Sequence, residues 1–235
     1  MFRDELADAA NRFDIPIDDR QSDLFDRYYR LVIDWNRRIN LTAITEPHDF
    51  AVKHIVDSLS IIRAELELDG RRVIDVGTGA GMPGIPLKIF IPSIKLTLLD
   101  SLNKRISFLK TAIAELKLED VDCIHARAEE AAHSNLREAF DVVVSRAVAR
   151  LNVLTEYCLP FAVKGGMFIA LKGSNVDEEL DEARVAIKIL GGRLLEPINF
   201  SLPNGDPRSL IPIRKMESTP AHFPRRAGTP EKKPI

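Results

Sequence analysis

The stretch Val73-Ile74-Asp75-Val76-Gly77-Thr78-Gly79-Ala80-Gly81-Met82-Pro83-Gly84 constrains this chain more than any other. An apolar run carrying one acid ends in a glycine cluster, and a helical pattern follows. This is how a chain brings its backbone close to a nucleotide-like ligand at the carboxyl end of a parallel strand. The acid two residues before the first glycine is the discriminating feature. In a phosphate-cradling loop the anion is met by backbone N–H groups and a helix dipole, which a carboxylate would oppose. A carboxylate suits an ammonium or a sulfonium, and S-adenosylmethionine carries both. The spacing Gly79, Gly81, Gly84 also fits G-x-G-x-x-G, so a nicotinamide-dependent oxidoreductase stays open as an alternative. Against it, Pro83 and Pro86 crowd the turn where a dinucleotide-binding helix would start.

The rest of the chain supplies the sheet that such a loop needs. From Arg71 onward, strand and helix patterns alternate. Strands are expected at Arg71–Val76, Lys95–Asp100, Val121–His125, Asp141–Ser145 and Met167–Lys172. Helices are expected at Gly84–Phe90, Lys104–Lys117, Ala128–His133, Leu151–Phe161 and Val176–Leu190. That alternation means an α/β fold with a doubly wound, mostly parallel sheet. Arg193–Ser201 and Arg208–Lys215 flank Pro203-Asn204-Gly205-Asp206 and read as an antiparallel hairpin finishing the sheet. Pro212 suits a sheet edge, or a position whose N–H faces away from the ladder.

Residues 1–70 read as a helical amino-terminal extension packing on the core. Tyr28, Leu31, Val32, Trp35 and Ile39 share one helix face, and Asn40-Leu41-Thr42 closes that helix. Thr45-Glu46-Pro47 starts another, carrying Phe50, His54, Ile55 and Leu59. Residues 71–215 read as the catalytic domain. Residues 216–235, with Pro220, Pro224, Pro230 and Pro234, read as an extended, loosely held tail.

With 45% apolar residues, a sizeable core is available, and no run approaches the roughly 18–20 apolar residues of a membrane span. The charged amino terminus shows no secretion signal, and Cys123 and Cys158 read as reduced and buried, which together imply a cytoplasmic protein. Residues 1–70 carry 9 Lys+Arg against 15 Asp+Glu, whereas residues 208–235 carry 7 against 2. A basic tail of that kind can steer a polyanion, with Arg225 and Arg226 as candidate contacts. An RNA-binding assembly factor without turnover is therefore a second alternative.

Other candidate site residues follow from position. Asp100 ends the second strand, where an acid accepts hydrogen bonds from ribose hydroxyls. Ala128-Glu129 follows the third strand and can border an adenine. Arg146, just past the fourth, opens onto the ligand crevice. His48 and His54 are six apart across Pro47, a spacing of packing or capping residues rather than metal ligands. Neither cysteine lies where a nucleophile is needed, and the fourth strand lacks an Asn-Pro-Pro-Tyr loop. An acceptor that needs no base, such as guanine N7, fits a site that works by positioning.

Nearly the whole chain resembles the bacterial 16S ribosomal RNA guanine-N7 methyltransferases, called RsmG or GidB. The resemblance rests on Trp35-Asn36, Asn40-Leu41-Thr42-Ala43-Ile44, His54 with Asp57-Ser58-Leu59, and Asp75 through Pro86. It continues through Leu99-Asp100-Ser101, Lys104-Arg105, Ser145-Arg146-Ala147, Leu171-Lys172-Gly173, and the tail motifs Thr219-Pro220, Phe223-Pro224-Arg225-Arg226 and Gly228-Thr229-Pro230. It implies a class I, Rossmann-like methyltransferase fold, S-adenosylmethionine as donor, and a guanine in the 530 loop of 16S rRNA as acceptor. By position it implies Gly77, Gly79 and Met82 in the glycine loop against the cofactor, with Ala128 and Glu129 flanking the adenine. Asp75 would meet the ammonium, Asp100 the ribose, and Arg146 would close the site toward cofactor and RNA. Arg225 and Arg226 would grip RNA, aided by a local patch of Arg27, Arg30, Arg37 and Arg38. The expected partner is 16S rRNA in the small subunit or its precursor, and the expected state is a monomer with no metal.

Overall fold

The amphipathic pattern of the first segment folds into α1 (Phe2–Asn11) and α2 (Asp19–Asn36). The computed structural model describes residues 1–146, 148–174 and 176–235. α2 starts at a reciprocal cap: Asp18 Oδ1 accepts the Gln21 N–H at 2.7 Å, and Gln21 Oε1 accepts the Asp18 N–H at 3.0 Å. Such a cap stabilises a helix by about 0.5–2 kcal/mol. Phe25, Tyr28 and Val32 on one face of α2 are fully buried, and Trp35 meets Phe108 edge-on at 5.7 Å.

α2 ends at Asn36, short of the expected Asn40-Leu41-Thr42 stop. The reason is the Asn36 amide. Its Oδ1 accepts the N–H groups of Leu41 and Thr42, and its Nδ2 donates to the Thr42 carbonyl, folding the loop back on the helix end. α3 (Pro47–Phe50) starts after Glu46, with Pro47 in its first turn. α3 continues into a π-helical turn (Ala51–Val56), α4 (Asp57–Leu59) and a 3-10 turn (Ser60–Ala64).

The sheet follows. β1 (Arg72–Val76), β2 (Lys95–Asp100) and β3 (Val121–His125) are parallel, linked by α5 (Gly84–Phe90) and α6 (Asn103–Leu116). α7 (Ala128–Ala131) leads to β4 (Phe140–Arg146), which crosses to the other side of β1. α8 (Leu151–Cys158) and a 3-10 turn (Leu159–Phe161) lead to β5 (Ala162–Lys172), parallel to β4. After α9 (Asp177–Ile189) come β6 (Gly192–Leu194), β7 (Ile198–Ser201) and β8 (Pro207–Lys215), and α10 (Thr229–Lys232) lies in the tail. The strand order is β3-β2-β1-β4-β5-β8-β6, with β7 also on β8. The order reverses between β1 and β4, and that switch point is where an open α/β sheet forms its ligand crevice.

The carboxy-terminal strands differ from the expected hairpin in two ways. The run Arg193–Ser201 divides into β6 and β7, separated by Leu195-Glu196-Pro197. Both pair with β8, which is interior because β5 lies on its other side. Pro212 is thus not at a sheet edge. Its carbonyl accepts the Leu195 N–H at 3.0 Å, so its nitrogen faces the break between β6 and β7 rather than β5. No β5 ladder bond is lost, because both main-chain groups of one antiparallel residue point to the same side.

The core lies on both faces of the sheet. One cluster joins α1, α2 and the π-helical turn to α5, α6 and the sheet, through residues such as Phe25, Phe50, Ile85, Leu98 and Phe108. The other joins α8 and α9 to the opposite face through Phe161, Phe168, Ala183 and Ile213. Among the described residues no helix is long and apolar enough to cross a membrane. The tail is not loosely held: Thr219, Phe223 and Pro230 are buried, and Phe223 belongs to the second cluster.

The buried Tyr28 hydroxyl donates to the Ala80 carbonyl in the glycine loop at 2.6 Å. Tyr28→Phe strands that carbonyl, and urea unfolding should show a loss of about 1–3 kcal/mol.

Candidate active site

Two connected recesses open at the carboxyl ends of β1, β2 and β4. One is lined by Val76, Gly77, Leu99, Asp100, Ala126, Ala128, Glu129, Val148, Tyr157 and Glu231. The other is lined by Leu41, Thr42, His54, Gly77, Thr78, Gly79, Met82, Asp100, Arg105 and Arg146. Gly77 and Asp100 line both, as do Ser101 and Val148 beside them, so the crevice is bipartite.

The glycine loop between them is pinned from below. Asp75 is fully buried, and its Oδ2 accepts the Thr78 hydroxyl at 2.6 Å and the Gly84 N–H at 2.8 Å. A Cβ on Gly84 would stand 2.6 Å from Leu98 Cδ2 and 3.0 Å from that same oxygen, so a side chain here would have to displace Leu98 and crowd the Asp75 carboxyl. Gly79 has φ +62 with open space above it, and its N–H reaches Asp100 Oδ2 at 2.9 Å. The other Asp100 oxygen accepts the Leu102 N–H at 2.8 Å, and Arg105 Nη1 lies 3.3 Å from Oδ2. Asp100 therefore both shapes the entry to α6 and faces the crevice.

Of the residues singled out from the sequence, Gly77, Gly79, Met82, Asp100, Ala128, Glu129 and Arg146 line this crevice. Asp75 does not. It lies beneath the loop, where a direct ion pair with a ligand ammonium has no path to it, and its visible work is to hold Thr78 and Gly84. Arg225 and Arg226 diverge. The Arg225 guanidinium is clamped on the buried Glu156 carboxylate, with Nη2 to Oε2 at 2.6 Å, whereas Arg226 is exposed. In the amino-terminal patch Arg27 reaches the Glu115 carbonyl, Arg30 pairs with Asp26, Arg38 pairs with Asp34, and Arg37 is exposed. Ala147, part of the Ser145-Arg146-Ala147 motif, lies outside the described residues.

Arg146 ties the glycine loop to the π-helical turn. Its Nη1 donates to the Lys53 carbonyl at 3.0 Å and to Asp57 Oδ2 at 3.2 Å. Its Nη2 reaches Met82 Sδ at 3.1 Å and His54 Nδ1 at 3.3 Å. His54 Nδ1 thus lies between the Arg146 guanidinium and the Lys53 carbonyl, the latter at 3.2 Å, while Nε2 faces Thr42 Oγ1 at 2.7 Å. Burial, reinforced by the Arg146 charge, pushes the His54 pKa down to about 3, so the ring is neutral at physiological pH. Sequence reasoning assigned no site role to Leu41, Thr42 or His54, although all three fall inside the quoted motifs. A π-helical turn, frequent at functional sites, leaves no clear periodic trace. Beside them, Asp57 also pairs with Arg208, Nε to Oδ1 at 3.2 Å. A further recess is lined by Lys53, His54, Asp57, Arg146, Lys172 and Arg208.

A family model for rRNA small subunit methyltransferase G matches residues 21–203. The chain belongs to this family. It is 49% identical to the ribosomal RNA small subunit methyltransferase G of Alkaliphilus oremlandii over 99% of this chain and 98% of that one. It is 46% identical to the Lactococcus lactis subsp. lactis protein of the same name, covering all of both chains. Among solved structures, a SAM-dependent methyltransferase from Aquifex aeolicus has a TM-score of 0.52 at 15% identity, over 72% of this chain and 93% of that one. The precorrin-6y C5,15-methyltransferase of Geobacter metallireducens has a TM-score of 0.51 at 14% identity, over 75% and 91%. The fold is thus the class I methyltransferase fold, the protein is a methyltransferase that acts on rRNA, and its donor is S-adenosylmethionine. The nicotinamide reading of the glycine pattern is set aside. The crevice has room for such a donor, since Asp100 faces it and the space beside Gly79 is open.

Burial raises the Asp75 carboxyl from 3.8 to about 6, so its stabilising, protonated form prevails below 3.8 and is lost as pH rises through about 6. Asn titrates nowhere in that range. Thermal unfolding should therefore show wild type gaining on Asp75→Asn as pH falls from about 7 to about 5. A difference that stays constant with pH would overturn the assignment.

Proposed function

We propose that the protein transfers a methyl group from S-adenosylmethionine to N7 of a guanine in the 530 loop of 16S rRNA, guanine 527 in the usual rRNA numbering. The observation that carries this reading is the continuity of the crevice with the cationic recess. His54 and Arg146 line both, so a base held against Lys53, Lys172 and Arg208 lies beside the end of the crevice where the methionine half of the donor fits. When bound, the donor supplies an activated methyl group on a sulfonium.

The chain's own residues would position the two partners. Gly77, Gly79 and Asp100 would seat the nucleoside, and Ala128 and Glu129 would border its adenine. Arg146, fixed by Asp57 and the Lys53 carbonyl, would hold the boundary between donor and acceptor. None of these groups is set up as a base: His54 is neutral with its protonation suppressed, and both Asp100 oxygens hold N–H groups. Guanine N7 has an in-plane lone pair and no proton to remove, so alignment is sufficient. Extraction of the base from its stack would come at the expense of RNA structure.

On this reading residues 1–70 are a helical extension that completes the crevice, 71–215 are the methyltransferase domain, and 216–235 are a basic, proline-rich tail. The protein works in the cytoplasm as a monomer on the small subunit or its precursor. Arg226 remains a candidate RNA contact of the tail.

The test is incubation with radiolabelled S-adenosylmethionine and small-subunit RNA or particles lacking the modification, followed by mapping. Label at N7 of one guanine of the 530 loop is expected, and label elsewhere would overturn the acceptor. Lys53→Ala should raise the KM for RNA and reduce the salt slope of RNA binding by about one, with S-adenosylhomocysteine affinity unchanged.

A further inference from the structure

The tail is docked by an interlocking set of bonds that neither charge nor composition foretells. Lys215, at the end of β8, is fully buried and donates to the Leu159 carbonyl at 3.0 Å and to Thr219 Oγ1. Arg137 donates to the Thr219 carbonyl at 2.7 Å and the Phe223 carbonyl at 2.8 Å. The Arg225 N–H and guanidinium both bind Glu156, which is 1% exposed. The Gly228 N–H then donates to Glu129 Oε1 at 3.0 Å.

That last bond places the tail at the crevice. Glu129 borders the recess between Ala128 and Tyr157, and Glu231, three residues beyond Gly228, lines the same recess. Burial raises the Tyr157 phenol, and the nearby Glu129 and Glu231 carboxylates raise it further, so two acids converge at this rim.

We propose that the segment Thr219–Ile235 forms the outer wall of the adenosyl half of the crevice, with Glu231 accepting a hydrogen bond from the exocyclic amine of the adenine. The chemistry selects the base. An exocyclic amine donates to carboxylates, whereas a 6-oxo purine would set its carbonyl oxygen against them. Tail docking and nucleoside binding are then linked, and each strengthens the other by the same factor. The tail is thus a specificity element for the donor, beyond its role as a basic appendage toward RNA. The inference rests on the adenosyl group occupying this recess.

Calorimetric titration of the full chain with S-adenosylhomocysteine and with S-inosylhomocysteine tests it. Glu231→Ala should weaken S-adenosylhomocysteine binding by about tenfold, the effect of one charged hydrogen bond, and should not weaken S-inosylhomocysteine binding, which gains by losing the opposed carboxylate. Arg225→Ala should weaken S-adenosylhomocysteine binding similarly by loosening the wall. Because that substitution strands the buried Glu156, the exposed Glu231 variant keeps the test decisive if Arg225→Ala misfolds. In the wild type, S-adenosylhomocysteine should slow tryptic cleavage after Arg226 and Lys232. Affinities within twofold of wild type in folded Glu231→Ala, with no protection of the tail, would overturn the proposal and leave the cofactor assignment intact. Absence of S-adenosylhomocysteine binding by the wild type would instead remove the cofactor site on which the proposal rests.

Discussion

The rest of the site depends on one buried carboxylate. Asp75 lies one residue before the end of β1 with no exposure, and one of its oxygens holds both the Thr78 hydroxyl and the Gly84 N–H. Those two bonds tie the start of the glycine loop and the first residue of α5 to one carboxyl oxygen. A buried acid costs free energy unless its lone pairs are used. Here it is offset by two short hydrogen bonds, although Oδ1 has no partner among the described residues. The loop's outer side is held by Asp100 through the Gly79 N–H, and its underside by Tyr28 through the Ala80 carbonyl. Three separate elements thus fix one loop, so the crevice is largely formed before a ligand arrives.

The amino-terminal helices are part of the same construction. Tyr28 supports the loop from α2, while the Asn36 amide folds Leu41 and Thr42 onto the crevice wall. The π-helical turn delivers His54 and Asp57 to Arg146 from the other side. One apolar cluster runs from α1 through α2 into the sheet, so these contacts do not hang on a flexible appendage. The tail closes the opposite end through Glu156 and Glu129. The Rossmann-like sheet supplies the floor, and the segments on either side of it in the chain supply the walls.

The strands and crossover helices were legible because their physics is local. Lys95–Asp100, Val121–His125 and Gly84–Phe90 have the expected bounds, since apolar runs cut by glycine, proline or charge leave little choice. The carboxy-terminal strands were read less well. Pro197 splits β6 from β7, and Pro212 tolerates an interior strand because its nitrogen faces that split, a fact of pairing that no single strand records. The tail misled for a related reason. Its composition is that of a solvated segment, yet Phe223 and Arg225 find a buried pocket and a buried acid that other parts of the chain provide.

By itself the sequence determined the parallel sheet, the glycine loop at its switch point and the family, because spacing and residue type carry these. It also placed Asp100, Glu129 and Arg146 at the crevice, since strand ends in this fold converge. Only the tertiary structure decided that Asp75 serves the loop from below, that Arg146 is held by Asp57 and the π-helical turn, and that Arg225 is spent on Glu156. The last two outcomes turn on partners brought together across more than sixty residues of chain, and the first on how deeply the sheet buries the β1 end. Local sequence sets what a side chain can offer, and packing sets what takes it.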